Sequence, residues 1–269
     1  MLFRSLPLQV FKHGIKLGAF FDNRFGFRFP RYNLLLMNNS DVSSALVIGA
    51  SGGIGSSITT HLQSKAKYGH VWALDRSSIP RIDLLDESSI IAAATRVAEA
   101  NNKIALFIIA TGFLHNIEHK PEKRLKDVTE TSMMHAFAIN AAGPAMVLKH
   151  FLPLAPKKGR SVFICLSARV GSIEDNTLGG WHSYRASKAA LNQLVRTMAI
   201  ELRRTRPDAI LASIHPGTTA TNLSAPFSKQ GLDVRSPEVA AEQIVNVIEN
   251  LTPQDSGGFF DHMGKPIPW

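Results

Sequence analysis

The chain reads as an α/β fold: one doubly wound parallel sheet with helices on both of its faces. Three observations predict this. Short runs that are apolar throughout alternate with stretches of helical spacing, as expected for strands covered on both sides. A glycine-rich segment, GASGGIG, stands between the first run and the first helical stretch. The 269 residues are 45% apolar, enough for one sizeable core, and α/β sheets commonly exceed 200 residues as a single unit.

The elements follow in order. SALVIGA is a first strand, running into Gly49, and Ile54 to about Lys65 has helical spacing. HVWALD is a second strand; DESSIIAAATRVAEA is a helix whose acidic opening suits a helix N-terminus. IALFIIATG is a third strand. Residues 127–151 then read as one helix with Met134, Phe137, Ala138 and Ala141 on one side. SVFICLS is a fourth strand, followed by a long helix from Ser183 to Arg204 that stops near Pro207. AILASIHPG is a fifth strand, SPEVAAEQIVNVIEN opens as a helix at Ser236, Pro237 and Glu238, and GGFFDH is placed to close the sheet. In such sheets ligands sit at the carboxyl ends of the strands, so chemistry is expected there or on the helix that follows.

Residues 1–42 stand apart as a basic leader or extension before a domain of residues 43–269. The net charge is +9, but Arg4, Lys12, Lys16, Arg24, Arg28 and Arg31 against Asp22 give the first 40 residues +5, leaving +4 for the rest. A mildly basic body needs no nucleic-acid partner. The leader, Arg-rich and acid-poor, has the composition of an organellar transit peptide, although it is poor in Ser. The expected location is cytoplasmic, or the mitochondrial matrix if the leader is a transit peptide. No apolar run is long enough for a spanning helix. Cys165, the single cysteine, lies in an apolar strand and reads as an inert buried thiol. Ten scattered histidines give no metal spacing; His115 and His119 fall in a loop bracketed by Gly112 and Pro121.

Glycines let a backbone turn tightly and present free amides at a helix N-terminus to a pyrophosphate. GASGGIG, residues 49–55, is spaced Gly-x-x-x-Gly-x-Gly, with Ser51 and Ile54 inside it. Asp75 ends the second strand 20 residues after Gly55, where a carboxylate can bind an adenosine ribose and repel a 2′-phosphate. Arg76 follows and would do the opposite. The balance favours NAD slightly over NADP.

With GASGGIG, AIN at 138–140, the serine closing SVFICLS, YRASK at 184–188 and HPGTTAT at 215–221, residues 43–269 resemble the short-chain dehydrogenase/reductase family. LSARVGSIEDN, the GGWHSYRASKAALNQLVRTMAIEL stretch and the ending GGFFDHMGKPIPW are similar to its C-factor-like and sniffer-like branch, which includes carbonyl reductases and developmental signalling factors. The resemblance implies a Rossmann-like fold, a homodimer or homotetramer, and hydride transfer between a nicotinamide and a small carbonyl or alcohol. It makes Tyr184 the general acid/base, Lys188 its helper and ribose ligand, and Asn140 the holder of a relay water. Ser167 would orient the substrate. Gly49, Gly53 and Gly55 would pack on the dinucleotide, with Asp83 and Leu84 near the adenine. Thr111 and Gly112 would lie along the cofactor, and Pro216, Gly217, Thr219 and Thr221 near the carboxamide.

Two departures stand out. The family's Asn-Asn-Ala-Gly is here Ile109-Ala110-Thr111-Gly112. Counting back three residues from Gly171 lands on Ala168, and counting from Tyr184 brings in Ser172; Ser167 is preferred because it closes a strand. A non-catalytic dinucleotide-binding signalling or scaffold protein on the same fold is the alternative. Phe227 and Leu232, after HPGTTAT, suggest a modest, partly apolar substrate.

The Tyr184–Lys188 pair has a physical reading of its own. A free phenol titrates near pH 10, about three units above the range where acid/base catalysis works best. An ammonium at about 4 Å, at an effective dielectric of about 20, supplies the roughly 4 kcal/mol that closes the gap. Positions i and i+4 of a helix are neighbours, and the small Ala186 and Ser187 between them leave room for a cofactor.

Overall fold

The computed structural model describes residues 43–100, 103–224 and 234–269; the basic leader, Phe227 and Leu232 lie outside these residues. Six strands form one parallel sheet: β1 (Ser43–Ile48), β2 (His70–Leu74), β3 (Lys103–Ile109), β4 (Ser161–Leu166), β5 (Ala209–His215) and β6 (Phe259–Asp261), in the order β2-β1-β3-β4-β5-β6. Every pairing is parallel. The winding reverses between β1 and β3, so their carboxyl ends open a crevice.

Alternation along each strand explains the unbroken apolar runs. Leu46, Ile48, Phe107, Ile109, Phe163, Cys165 and Leu211 face one layer. That layer contains α2 (Glu87–Glu99), α4 (Gly143–Phe151) and α5 (His182–Thr205). Ala45, Val47, Leu106, Ile108, Val162, Ile164, Ile210 and Ile214 face the other, built from α1 (Gly53–Ser64) and α6 (Pro237–Asn250). Both faces are therefore apolar. Phe107 anchors the first layer, its ring 5.1 Å from Phe151 and 5.3 Å from Phe163. Cys165 is fully buried and burial pushes its thiol up to about 12.

Local chemistry sets the helix ends. Asp86 caps α2 by accepting from the amides of Ser88 and Ser89. Ser236 caps α6 with Pro237 in its first turn. One expectation is corrected: residues 127–151 are not one helix. Asp127 ends a short 3-10 turn, Thr129 caps α3 (Glu130–Phe137), and Ala138–Ala142 widen into a π turn before α4. Helical spacing does not reveal the π turn, because the alanine-rich run of residues 138–142 has too few large apolar side chains to mark the shift of about 100° that one extra residue introduces. Among the described residues no helix is long and apolar enough to cross a membrane.

Candidate active site

A cavity of about 520 Å³ opens at the winding reversal. Gly49, Ser51, Asp75, Arg76, Asp83, Leu84, Thr111 and Gly112, all expected from the sequence, line it. Gly49 sits at φ +85°, and a Cβ there would lie 2.9 Å from Thr111 Cγ2. A Cβ on Gly55 would lie 2.1 Å from the Gly49 carbonyl oxygen, so this glycine lets α1 start hard against the end of β1. Gly52 caps α1 without a side-chain hydrogen bond, and no acidic residue stands in the first turn. Such an N-terminus, bordering a cavity, suits an anion. Gly53 and Ile54 form that first turn, and Gly53 packs against Thr221.

Asp75 is held charged. Its Oδ1 accepts from the hydroxyl and amide of Ser77, each at 2.7 Å, and from the amide of Ser78 at 3.0 Å. The Ser77 hydroxyl is the main reason its carboxyl titrates below the usual range. Arg76 forms no ion pair among the described residues. Asp83 pairs with Arg81 at 2.8 Å and accepts the Leu85 amide.

Tyr184 and Lys188 lie in the first two turns of α5. Lys188 is 2% exposed, so its amine is not in solvent. The Nζ donates to the Leu166 carbonyl at the end of β4, at 3.0 Å, and lies 6.0 Å from the Tyr184 ring centroid. Burial lowers this lysine to about 8. Burial also raises the Tyr184 phenol above its ordinary value. The ammonium expected to favour the phenolate is hydrogen-bonded to the Leu166 carbonyl in this arrangement.

Asn140, in the π turn, is fully buried. Its Nδ2 donates to the Phe113 carbonyl at 2.7 Å and to Ser187 Oγ at 3.0 Å, while its Oδ1 accepts the Phe113 amide at 2.7 Å. It therefore ties the loop after β3 to α5. Gly112 lies between the catalytic candidates; a Cβ there would be 3.6 Å from Lys188 Nζ and 3.9 Å from Asn140 Oδ1. Ser167 is 4% exposed, its amide bonds Ile214 O, and its hydroxyl has no partner. Ser172 Oγ accepts the Asp175 amide, holding a turn.

Pro216, Gly217, Thr219 and Thr221 follow β5 but do not line the cavity. Gly217 is at φ +78°, Thr219 bridges Arg235, and the Ala220 amide donates to the Arg235 carbonyl, pinning both ends of the connection to α6. The Thr219 hydroxyl is buried without a partner.

A family model described as Enoyl-(Acyl carrier protein) reductase matches residues 54–257. The chain belongs to the short-chain dehydrogenase/reductase family. Within this oxidoreductase family, C-signal of Myxococcus xanthus is 36% identical over 146 residues, covering 54% of this chain and 83% of the relative. A 1-hydroxy-2-glutathionyl-2-methyl-3-butene dehydrogenase of Rhodococcus sp. (strain AD45) is 30% identical over 237 residues, 85% of this chain and 100% of the relative. The structure of NADPH-bound carbonyl reductase from chicken fatty liver matches with a TM-score of 0.74 at 25% identity, over 85% of this chain and 94% of that one.

Against the family pattern, Thr111 does not take over the missing asparagines' hydrogen bonds within the chain: its hydroxyl is buried with no partner. The sequence reading missed the cavity's far wall, where Phe113, Asn116, His135 and Ile139 join His115. Phe113 packs edge-on against His135 at 4.5 Å and faces His119 at 6.2 Å. These contacts join a loop to a helix and carry no spacing signal. His182 lies in a separate groove with Val170 and Arg185.

Proposed function

We propose that the chain is an NAD(P)-dependent oxidoreductase of the carbonyl-reductase type, with Tyr184 as general acid/base, Lys188 as its helper, Asn140 as a positioning residue and Ser167 as the substrate-orienting hydroxyl. The observation that carries this reading is the grouping of Lys188 and Asn140 around Gly112, which itself lines the glycine-walled cavity. The residues fit a dinucleotide. The N-terminus of α1, without a side-chain cap, accepts a pyrophosphate, Gly49 leaves its approach clear, and the buried unpaired hydroxyl of Thr111, on the cavity wall, stands ready as a donor.

A bound nicotinamide would supply or accept the hydride. The chain's own part is the proton. Tyr184 Oη donates to the forming alkoxide in reduction and takes the proton back in oxidation. Burial alone opposes this by favouring the neutral phenol. Turning the Lys188 amine from the Leu166 carbonyl toward the phenol, at about 4 Å, contributes on the order of 4 kcal/mol, about three pK units. That offsets the desolvation and returns the phenol to about its ordinary range, near 10, where Tyr184 is a neutral donor for reduction at pH 7. Asn140 holds the Phe113 backbone and, through Ser187, the first turns of α5, so the phenol and the cavity floor keep one spacing.

Replacement of Tyr184 by Phe is expected to lower turnover of aldehydes, ketones and quinones by about 10²–10⁴-fold with dinucleotide affinity retained; full turnover in that variant rules out this proton donor. Asp75, fixed as a carboxylate, favours NAD, and a clear preference for NADPH in paired titrations overturns that choice. The site is read as acting in the cytoplasm, or in the mitochondrial matrix if the leader targets it there, and in a homodimer or homotetramer.

A second reading, a dinucleotide-binding signalling protein without turnover, draws on the C-signal relative and on the absent asparagines. Bound cofactor without NAD(P)H oxidation across the carbonyl panel would favour it.

A further inference from the structure

We propose that Glu122 is a positioning residue for Tyr184: its buried carboxylate caps α5 and fixes where the tyrosine stands. The inference rests on the role given to Tyr184 above. α5 does not cap itself. Its N-cap residue, Trp181, is left-handed (φ 52°, ψ 43°) and makes no side-chain cap, following Gly179 and Gly180 at φ +62° and +66°. The capping acceptor comes from 61 residues earlier in the chain. Glu122 is 4% exposed; its Oε2 accepts the Ser183 amide at 3.2 Å, its Oε1 accepts the Ser183 hydroxyl, and its backbone carbonyl accepts the Trp181 amide.

A buried carboxylate is costly unless it is paired or fully hydrogen-bonded. Glu122 makes no ion pair with Lys, Arg or His among the described residues. What offsets its burial is the positive end of α5 and the two donors of Ser183. The cost is met next to the proposed acid. Ser183 precedes Tyr184 directly, and three residues after Tyr184, Ser187 receives Asn140 Nδ2 while donating to the Tyr184 carbonyl at 2.9 Å. Glu122 and Asn140 thus grip α5 on either side of the tyrosine. The loop from Phe113 to Glu122 joins the two grips, because Asn140 also holds Phe113. A carboxylate that merely strengthened the helix would serve equally well at any helix end. Here it fixes the turn of α5 that carries Tyr184. Misplacement by about 1 Å, from a change away from the chemistry, can cost on the order of 10²-fold in rate.

The test compares Glu122→Ala with Glu122→Gln, whose amide can accept from the Ser183 amide and donate to its hydroxyl. With the carbonyl of the panel that the wild type reduces fastest, Glu122→Ala is expected to lower kcat by about 10- to 100-fold. The dinucleotide Kd should stay within about twofold, and Glu122→Gln should restore most of the rate. An unchanged kcat, or kcat and cofactor affinity falling together, overturns the proposal. Should Glu122→Ala not fold, Ser183→Ala removes the hydroxyl donor alone and must lower kcat in the same selective way. A second measurement is independent of turnover. Fluorotyrosine incorporated at Tyr32, Tyr68 and Tyr184 gives three ¹⁹F resonances, assigned with Tyr184→Phe. Glu122→Ala, or Ser183→Ala in its place, should move the Tyr184 resonance and leave the others; an unmoved Tyr184 resonance sinks the inference. If the wild type reduces no carbonyl, the proposed function fails and the ¹⁹F result alone decides the positioning.

Discussion

Two serines near the end of β4 differ in what their hydroxyls do, and the difference makes a prediction at single-residue scale. Ser167 has a buried hydroxyl with no partner, whereas Ser172 spends its hydroxyl on the Asp175 amide. Ser167→Ala should therefore lower kcat by about tenfold with the melting temperature unchanged. Ser172→Ala should cost on the order of 1 kcal/mol of stability and leave the rate nearly intact. Kinetics and thermal melts of both variants check this, and the reverse pattern would move the substrate hydroxyl to Ser172. Lys188 gives a second prediction. Burial lowers its amine from 10.5 to about 8, so between those values the unfolded chain binds more protons and stability rises with pH. Below about 8 both states are protonated and the full cost, about 3 kcal/mol, stands. Lys188→Met should be inactive yet more stable at neutral pH by up to about that amount. The gap should close between pH 8 and 10.5 in denaturant melts. Spacing and companion motifs single out Tyr184 and Lys188 in the sequence. They give no view of where the amine turns, because that depends on the Leu166 carbonyl, 22 positions away.

Elements were legible where hydrophobic period and capping chemistry agreed. The strands, α2 and α6 fall within three residues of their expected bounds, since apolar runs, Asp86 and the Ser236–Pro237 start mark them. The single helix over 127–151 failed because Thr129's cap has no apolar signature and the alanine-rich π turn hides the one-residue shift of phase. The glycine segment was read correctly as a strand-to-helix turn, though its reason is partly internal packing. Gly55→Ala should show this: its Cβ would meet backbone at 2.1 Å, so α1 must shift. Dinucleotide affinity is expected to fall at least tenfold in a variant that still folds. Gly52→Ala, with nothing nearer than 3.3 Å, should lose far less. Equal losses in a binding titration would count against the steric account.

For the whole molecule, the sequence reading captured the sheet and its two covered faces, because strands buried on both sides leave unbroken apolar runs. Long-range polar ties were not legible, since nothing in local spacing announces them. At the ends of β5 and β6, burial, with Arg169, His262 and Arg235 nearby, lowers His215 to about 4 against the opposing pull of Asp261. Its ordinary value is 6.5, so the unfolded chain binds the extra proton first. Stability is expected to fall as pH drops from 6.5 toward 4, by up to about 3 kcal/mol. Acid unfolding followed by circular dichroism should shift to lower pH in His215→Gln; an unmoved transition would show that other groups govern acid loss. The π turn at Ala138–Ala142 has a further consequence, for chain length rather than residue identity. Deleting one residue from it would restore a regular helix and rotate everything beyond by about 100°. Val147 and Phe151 would then swing away from the sheet. A single-codon deletion there should be as damaging as losing Asn140 itself.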